Sequence, residues 1–165
     1  VPVGQSLGAA IAAEYAGPHP ARVRGLVLVD PPPAPGAIPP AQIEQLRAAV
    51  AKDPYSVIER FWNEQAFIDT RDQVKQRLLA GLRSLTRRAA VELTDASLDY
   101  DARRALSRYP GQKFSIVTAR NDAPLSLHNA VPGFRHVVIR GTGHWIHLDK
   151  PDEFHKALDG FLSAM

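Results

Sequence analysis

The sequence contains no cysteine and a single methionine. Disulfides, thiol nucleophiles and cysteine-ligated metals are thereby excluded, although this does not separate one compartment from another. No apolar run approaches the ~20 residues that a membrane-spanning helix needs, and the opening VPVGQSLGAA lacks the basic stretch of a secretory signal. No membrane association is expected, and the cytoplasm is the default location. Charge is also sparse: 22% of the 165 residues are charged against 45% hydrophobic, which suits one globular chain with a sizeable core. The formal net charge is +3, but Arg83, Arg87, Arg88, Arg103, Arg104 and Arg108 fall among Asp and Glu in helical stretches. They read as solvated faces rather than a one-sided basic stripe, so no nucleic-acid partner is expected. There is no internal repeat, and biased composition is confined to the six prolines between Pro31 and Pro40.

What is present alternates. Val1 to Val3 is β-like and leads through Gly-Gln-Ser-Leu-Gly into an alanine-rich helix ending near Ala16, where Gly17-Pro18 stops it. Gly25-Leu-Val-Leu-Val-Asp30 is apolar along the strand, as in a parallel sheet covered on both faces. Beyond the prolines, Ile43, Leu46 and Val50 share a helical face, as do Val57, Ile58, Phe61 and Trp62, and then Val74, Leu78, Leu82 and Leu85. Three or four amphipathic helices are thus predicted between Pro39 and Leu106. Lys113 to Ala119 and His136 to Arg140 read as two further strands, and Pro151 to Met165 as a closing helix with proline in its first turn. The expected fold is α/β, a doubly wound parallel sheet with a helical cap insertion: core at 1–38 and 107–165, cap at 39–106. Active groups in such a fold sit at the carboxyl ends of the strands.

Three groups stand at such ends. Gly4-Gln5-Ser6-Leu7-Gly8 has the form G-x-S-x-G between a strand and a helix. A serine on so sharp a turn is held in a strained backbone conformation. Small residues two positions to either side let strand and helix approach, and the Leu7 amide and the helix's positive end face the site. His144, in Gly141-Thr-Gly-His144-Trp-Ile-His147, lies on a Gly-bracketed loop from which it can reach a serine on another strand's end. His147 is expected only to pack or to line the pocket. The carboxylate that would orient the imidazole should also follow a strand. Asp122 is expected in this role, with Asp30 as its rival, because Asp30 enters the proline run and has a turn to stabilise.

Taken together, Gly4 to Gly8, Leu26-Val-Leu-Val-Asp30-Pro, Asn121-Asp122, Gly141-Thr-Gly-His144-Trp and Leu148-Asp-Lys-Pro-Asp-Glu-Phe154 resemble the carboxyl-terminal two-thirds of the α/β-hydrolase fold superfamily. The resemblance implies Ser6 as nucleophile, Asp122 as acid, His144 as base and the Leu7 amide as one oxyanion donor. It implies no metal and no organic cofactor. Gln5 and Trp145, beside the serine and the histidine, are expected to contact a small ester or acyl substrate. Serine at the elbow argues against the haloalkane dehalogenases and epoxide hydrolases, which need an aspartate there. Carboxylic-ester hydrolysis through an acyl-enzyme is the leading expectation. Lactonase, C–C hydrolase, cofactor-free haloperoxidase or perhydrolase activity, and a non-catalytic fragment or binding module, are the alternatives. Two departures from the family pattern stand out. The usual four leading strands and their His-Gly-type loop do not precede Val1, and the loop from Asp122 to Val137 leaves little room for the usual helix. The apolar faces of Leu7, Ile11 and Val27 would then lie uncovered, so a homo-oligomer or association with a missing amino-terminal half is expected.

Overall fold

The segment Gly25–Val29 (β2) is buried at all five positions, and its side chains divide strictly between two apolar layers. Leu26 and Leu28 join Ala9, Ala12, Ala13 and Ala16 of helix Leu7–Ala16 (α1), whereas Val27 and Val29 join Phe114, Ile116, Ile139, Phe154 and Phe161. That division is the two-residue period of a strand covered on both faces. The computed structural model describes residues 1–165. The sheet is four-stranded and parallel, in the order β1-β2-β3-β4, with β1 at Val3–Gln5, β3 at Gln112–Thr118 and β4 at Phe134–Ile139. Both end strands are shifted by about two residues from the sequence-based expectation.

Between β2 and β3 run helices α2 (Pro40–Lys52), α3 (Pro54–Phe61), α4 (Asp72–Ser84), α5 (Arg87–Asp99) and α6 (Ala102–Leu106), with a π turn at Trp62–Ala66 after α3. There are five helices rather than the three or four expected, and three of them start on a side-chain cap. Asp53 accepts from the Ser56 amide at 3.2 Å, Thr86 from the Ala89 amide at 3.2 Å, and Asp101 from the Arg103 amide at 3.0 Å. The last of the five, α6, packs on α1: Ala102, Ala105 and Leu106 share a buried cluster with the α1 alanines. Arg83, Arg88 and Arg103 each pair with a carboxylate, those of Glu59, Glu92 and Asp101.

After β3 the chain forms the four-residue helix α7 (Leu127–Ala130), so the short loop still accommodates a turn of helix. After β4 come α8 (Ile146–Asp149) and α9 (Pro151–Ser163). Phe161 of α9 stacks on Phe114 of β3, ring centroids 5.1 Å apart and planes 7° from parallel, closing the second face of the sheet. No helix is long and apolar enough to cross a membrane.

Candidate active site

The turn from β1 into α1 is as tight as its glycine implies. A Cβ on Gly4 would stand 2.1 Å from the Gly8 carbonyl oxygen, so only glycine lets strand and helix cross there. Gly8, expected to serve the same purpose, instead faces open space. Ser6 takes φ 51°, a left-handed value that costs free energy for any residue with a Cβ. It occupies the N-cap position of α1, yet its hydroxyl makes no capping bond. The first amides of the helix, Leu7 among them, lie at the positive end of the helix dipole.

The Ser6 amide donates to the Val29 carbonyl at 3.0 Å, which fastens the turn to the residue just before Asp30. Asp30 is 1% exposed and also left-handed, at φ 43°. Its Oδ1 accepts from the Thr118 amide at 2.9 Å and from the Thr118 hydroxyl at 3.1 Å. The other oxygen, Oδ2, stands 2.6 Å from Nδ1 of His144. A carboxylate so placed selects the tautomer with the proton on Nδ1 and leaves Nε2 as the basic nitrogen.

The carboxylate against His144 is therefore that of Asp30, where Asp122 was expected. Asp122 lies one loop further on, and Nε2 of His128 reaches its Oδ1 at 3.1 Å. That hydrogen bond is the largest reason its carboxyl is held below the usual range. Asn121 lines the cavity described below, but Asp122 does not. The proline run after Asp30 does not divert its side chain, because the Asp30 amide bonds the Ile116 carbonyl at 2.8 Å and carries β2–β3 pairing one residue further.

His144 is held from several sides. Its amide donates to the Ala66 carbonyl of the π turn at 2.9 Å, and Gln5 Nε2 donates to its carbonyl at 3.2 Å. Gln5, expected to contact substrate, thus has its amide engaged by the protein, although it still lines the cavity. Trp145 is 9% exposed and packs against Trp62 and Phe67, with ring centroids 5.0 and 5.3 Å away. It serves first as the contact between the histidine loop and the helical insertion. His147 is half-buried against Phe154, and burial lowers its pKa. That agrees with a packing role.

Two supporting residues escaped the sequence reading. Thr118 ends β3 and orients Asp30. Asp149 is a buried carboxylate whose Oδ2 accepts from the Gly143 amide at 3.3 Å and whose Oδ1 accepts from the Arg71 amide at 3.1 Å. Its signal was present, five residues after His144 and just before the Lys-Pro start of a helix.

Ser6, Asp30 and His144 all line one cavity of about 910 Å³ between the sheet's carboxyl edge and the helical insertion. Ile43, Leu46, Val50, Ile58 and Leu82 give it an apolar wall. The three non-glycine residues with left-handed backbones, Ser6, Asp30 and Asp69, all border this cavity. Strain concentrated in this way makes the cavity the candidate site.

Comparison with known proteins bears on the fold. Among solved structures, a bromoperoxidase from Bacillus anthracis superposes with a TM-score of 0.80 at 20% identity, over 98% of this chain and 66% of that one. An esterase from Exiguobacterium antarcticum gives a TM-score of 0.78 at 18% identity, over 98% and 65% of the two chains. A hydrolase from Pseudomonas aeruginosa PA01 gives 0.76 at 24% identity, over 97% and 63%. The chain thus spans slightly under two-thirds of these neighbours' lengths, and at such identities the likeness is one of fold. No curated protein matches it in sequence. The model of the alpha/beta hydrolase family matches residues 1–157, nearly the whole chain, and on that match this chain belongs to the alpha/beta hydrolase family.

Proposed function

We propose that the chain carries the catalytic centre of a serine hydrolase acting on carboxylic esters, with Ser6 as nucleophile, His144 as general base and Asp30 as the orienting acid. The observation that carries this reading is the 2.6 Å contact between His144 Nδ1 and Asp30, in the cavity that the strained Ser6 also lines. With Nδ1–H directed at Asp30, Nε2 of His144 takes the Ser6 proton as Oγ bonds to the acyl carbon. The carbonyl electron pair moves onto oxygen, where the Leu7 amide and the positive end of α1 stabilise it. Collapse of the tetrahedral species breaks the bond to the alcohol, which leaves with the proton from His144. Water, deprotonated by the same nitrogen, then releases the acid and restores Ser6. The imidazolium formed twice in each cycle is stabilised by Asp30, whose own charge is held by two bonds from Thr118. The aliphatic wall of the cavity suits an apolar acyl or alcohol portion.

A fluorophosphonate probe tests the assignment directly. One label per active chain is expected, none in Ser6→Ala, and loss of p-nitrophenyl ester hydrolysis in step with labelling. Labelling that persists in Ser6→Ala overturns it.

A further inference from the structure

Outside the Ser6–His144 cavity, three potential ligands from three separate elements converge beside the edge strand β4. Asp122 comes from the loop after β3, His128 from α7 and His136 from β4. Nε2 of His128 stands 3.1 Å and Nε2 of His136 3.9 Å from the same Asp122 oxygen, and one donor atom from each of the three residues falls within 4.8 Å of the others. The two imidazoles stack, centroids 4.3 Å apart and planes 27° from parallel. We propose that Asp122, His128 and His136 form a binding site for a divalent transition-metal cation of the zinc type, which ties the loop after β3 and helix α7 to β4.

Hydrogen bonding alone does not account for the arrangement. The 3.9 Å between His136 and Asp122 exceeds a hydrogen bond, so an Asp–His pair explains one ring and leaves the other idle. The His128 side chain is fully buried, and its Nδ1 has no partner. Nδ1 lacks a partner in either tautomer, as a lone pair or as an N–H, so the difference between the tautomers lies at Nε2. With the proton on Nδ1, Nε2 presents its lone pair to a carboxylate oxygen at 3.1 Å, an arrangement that becomes favourable with a cation between the two. Tetrahedral coordination with bonds of about 2.0–2.2 Å places donor atoms about 3.3–3.6 Å apart. The observed 3.1 and 3.9 Å bracket that span, and Asp122 and His136 are exposed enough to close it by small rotations. Two imidazoles and one carboxylate, with no thiolate, form a donor set suited to Zn²⁺, Co²⁺ or Ni²⁺ rather than to Ca²⁺ or Mg²⁺. The exposed side of the cluster leaves room for water as a further ligand. Because Asp122 lies outside the cavity lining, the ion's role here is structural.

Calorimetric titration of the protein with zinc chloride, paralleled by the visible absorption of bound Co²⁺, tests the site. One equivalent is expected to bind with micromolar affinity and to raise the melting temperature. His136→Ala removes an exposed strand residue with little risk to folding, and it should weaken binding by about tenfold or more. Asp122→Asn should act in the same direction. Ser6→Ala and His144→Ala should leave the metal affinity unchanged, which separates this site from the esterase reading. Zinc binding undiminished in His136→Ala, binding abolished by His144→Ala, or no binding at millimolar zinc would each overturn the proposal.

Discussion

At the scale of single residues, the proposed chemistry turns on Asp30. Two bonds from Thr118 and one face of His144 use both of its oxygens in a site 1% exposed. Asp30→Asn keeps the shape but replaces one acceptor with an NH₂ donor, which favours the imidazole tautomer with its proton on the wrong nitrogen. Loss of the orienting carboxylate in such a site costs about four orders of magnitude in kcat. We predict a fall of that size in kcat with KM little changed, and a much smaller effect for Asp122→Asn; steady-state kinetics on the two variants decide between them. Ser6 and His144 were legible as candidates because each is announced by local backbone chemistry, a G-x-S-x-G turn and a Gly-bracketed loop. Both aspartates follow strands, and the proline run gives Asp30 a turn to stabilise, so the sequence favours Asp122 over Asp30 as the carboxylate partner of His144. The choice depends on which strand end the loop after β4 crosses, and that loop passes over β3 to reach β2. Nothing local to residues 141–147 encodes that path. The pairing of His128 with His136 was equally illegible, since α7 and β4 meet only once the sheet has formed.

At the scale of elements, the histidine loop and the helical insertion are fastened together by a backbone hydrogen bond, by aromatic packing and by the buried Asp149 carboxylate. The π turn at Trp62–Ala66 presents the Ala66 carbonyl to the His144 amide and swings Trp62 and Phe67 onto Trp145. The approach is so close that a Cβ on Gly143 would fall 1.8 Å from the Thr70 hydroxyl. Such a π turn sits at the boundary of a functional site, as these irregularities often do. The amphipathic helices around it were legible from apolar spacing, whereas their starts at Asp53, Thr86 and Asp101 were not singled out. The π turn was not legible either, because one widened turn leaves no period in the sequence. Asp149 completes the junction by accepting the Gly143 amide from one side and the Arg71 amide from the other. Asp149→Ala leaves both donors unpaired, at about 1–3 kcal/mol for each one that stays buried. We predict a destabilisation of that order by urea denaturation, together with a fall in kcat as the His144 loop loosens. A variant with wild-type stability would show that water replaces both bonds without loss.

At the scale of the whole molecule, the sheet has an edge at each end, β4 and β1. β4 carries the neighbouring α7 and largely polar or half-buried positions, while β1 pairs only with β2, leaves its second row of N–H and C=O groups free and is flanked by exposed apolar side chains. Around that edge Val1, Val3, Ile11 and Tyr15 are 46%, 45%, 65% and 45% exposed. Val27, expected to be uncovered as well, is fully buried, because β2 is an interior strand with α9 over that face. The solved neighbours are longer, with this chain covering 66% of the Bacillus anthracis protein. An unpaired edge flanked by apolar side chains is a template for further strands. Burying one Val or Ile side chain contributes about 1.5–3 kcal/mol, so covering three or four of them is comparable to the 5–15 kcal/mol that stabilises a typical domain. We therefore predict that a polypeptide of these 165 residues associates with a second copy through β1. Val3→Lys combined with Ile11→Lys puts charge on that edge and on the helix beside it. Light scattering should show the unsubstituted chain as a dimer or larger and the double variant shifted toward monomer, whereas an unsubstituted chain that stays monomeric at high micromolar concentration would show that this edge does not drive assembly.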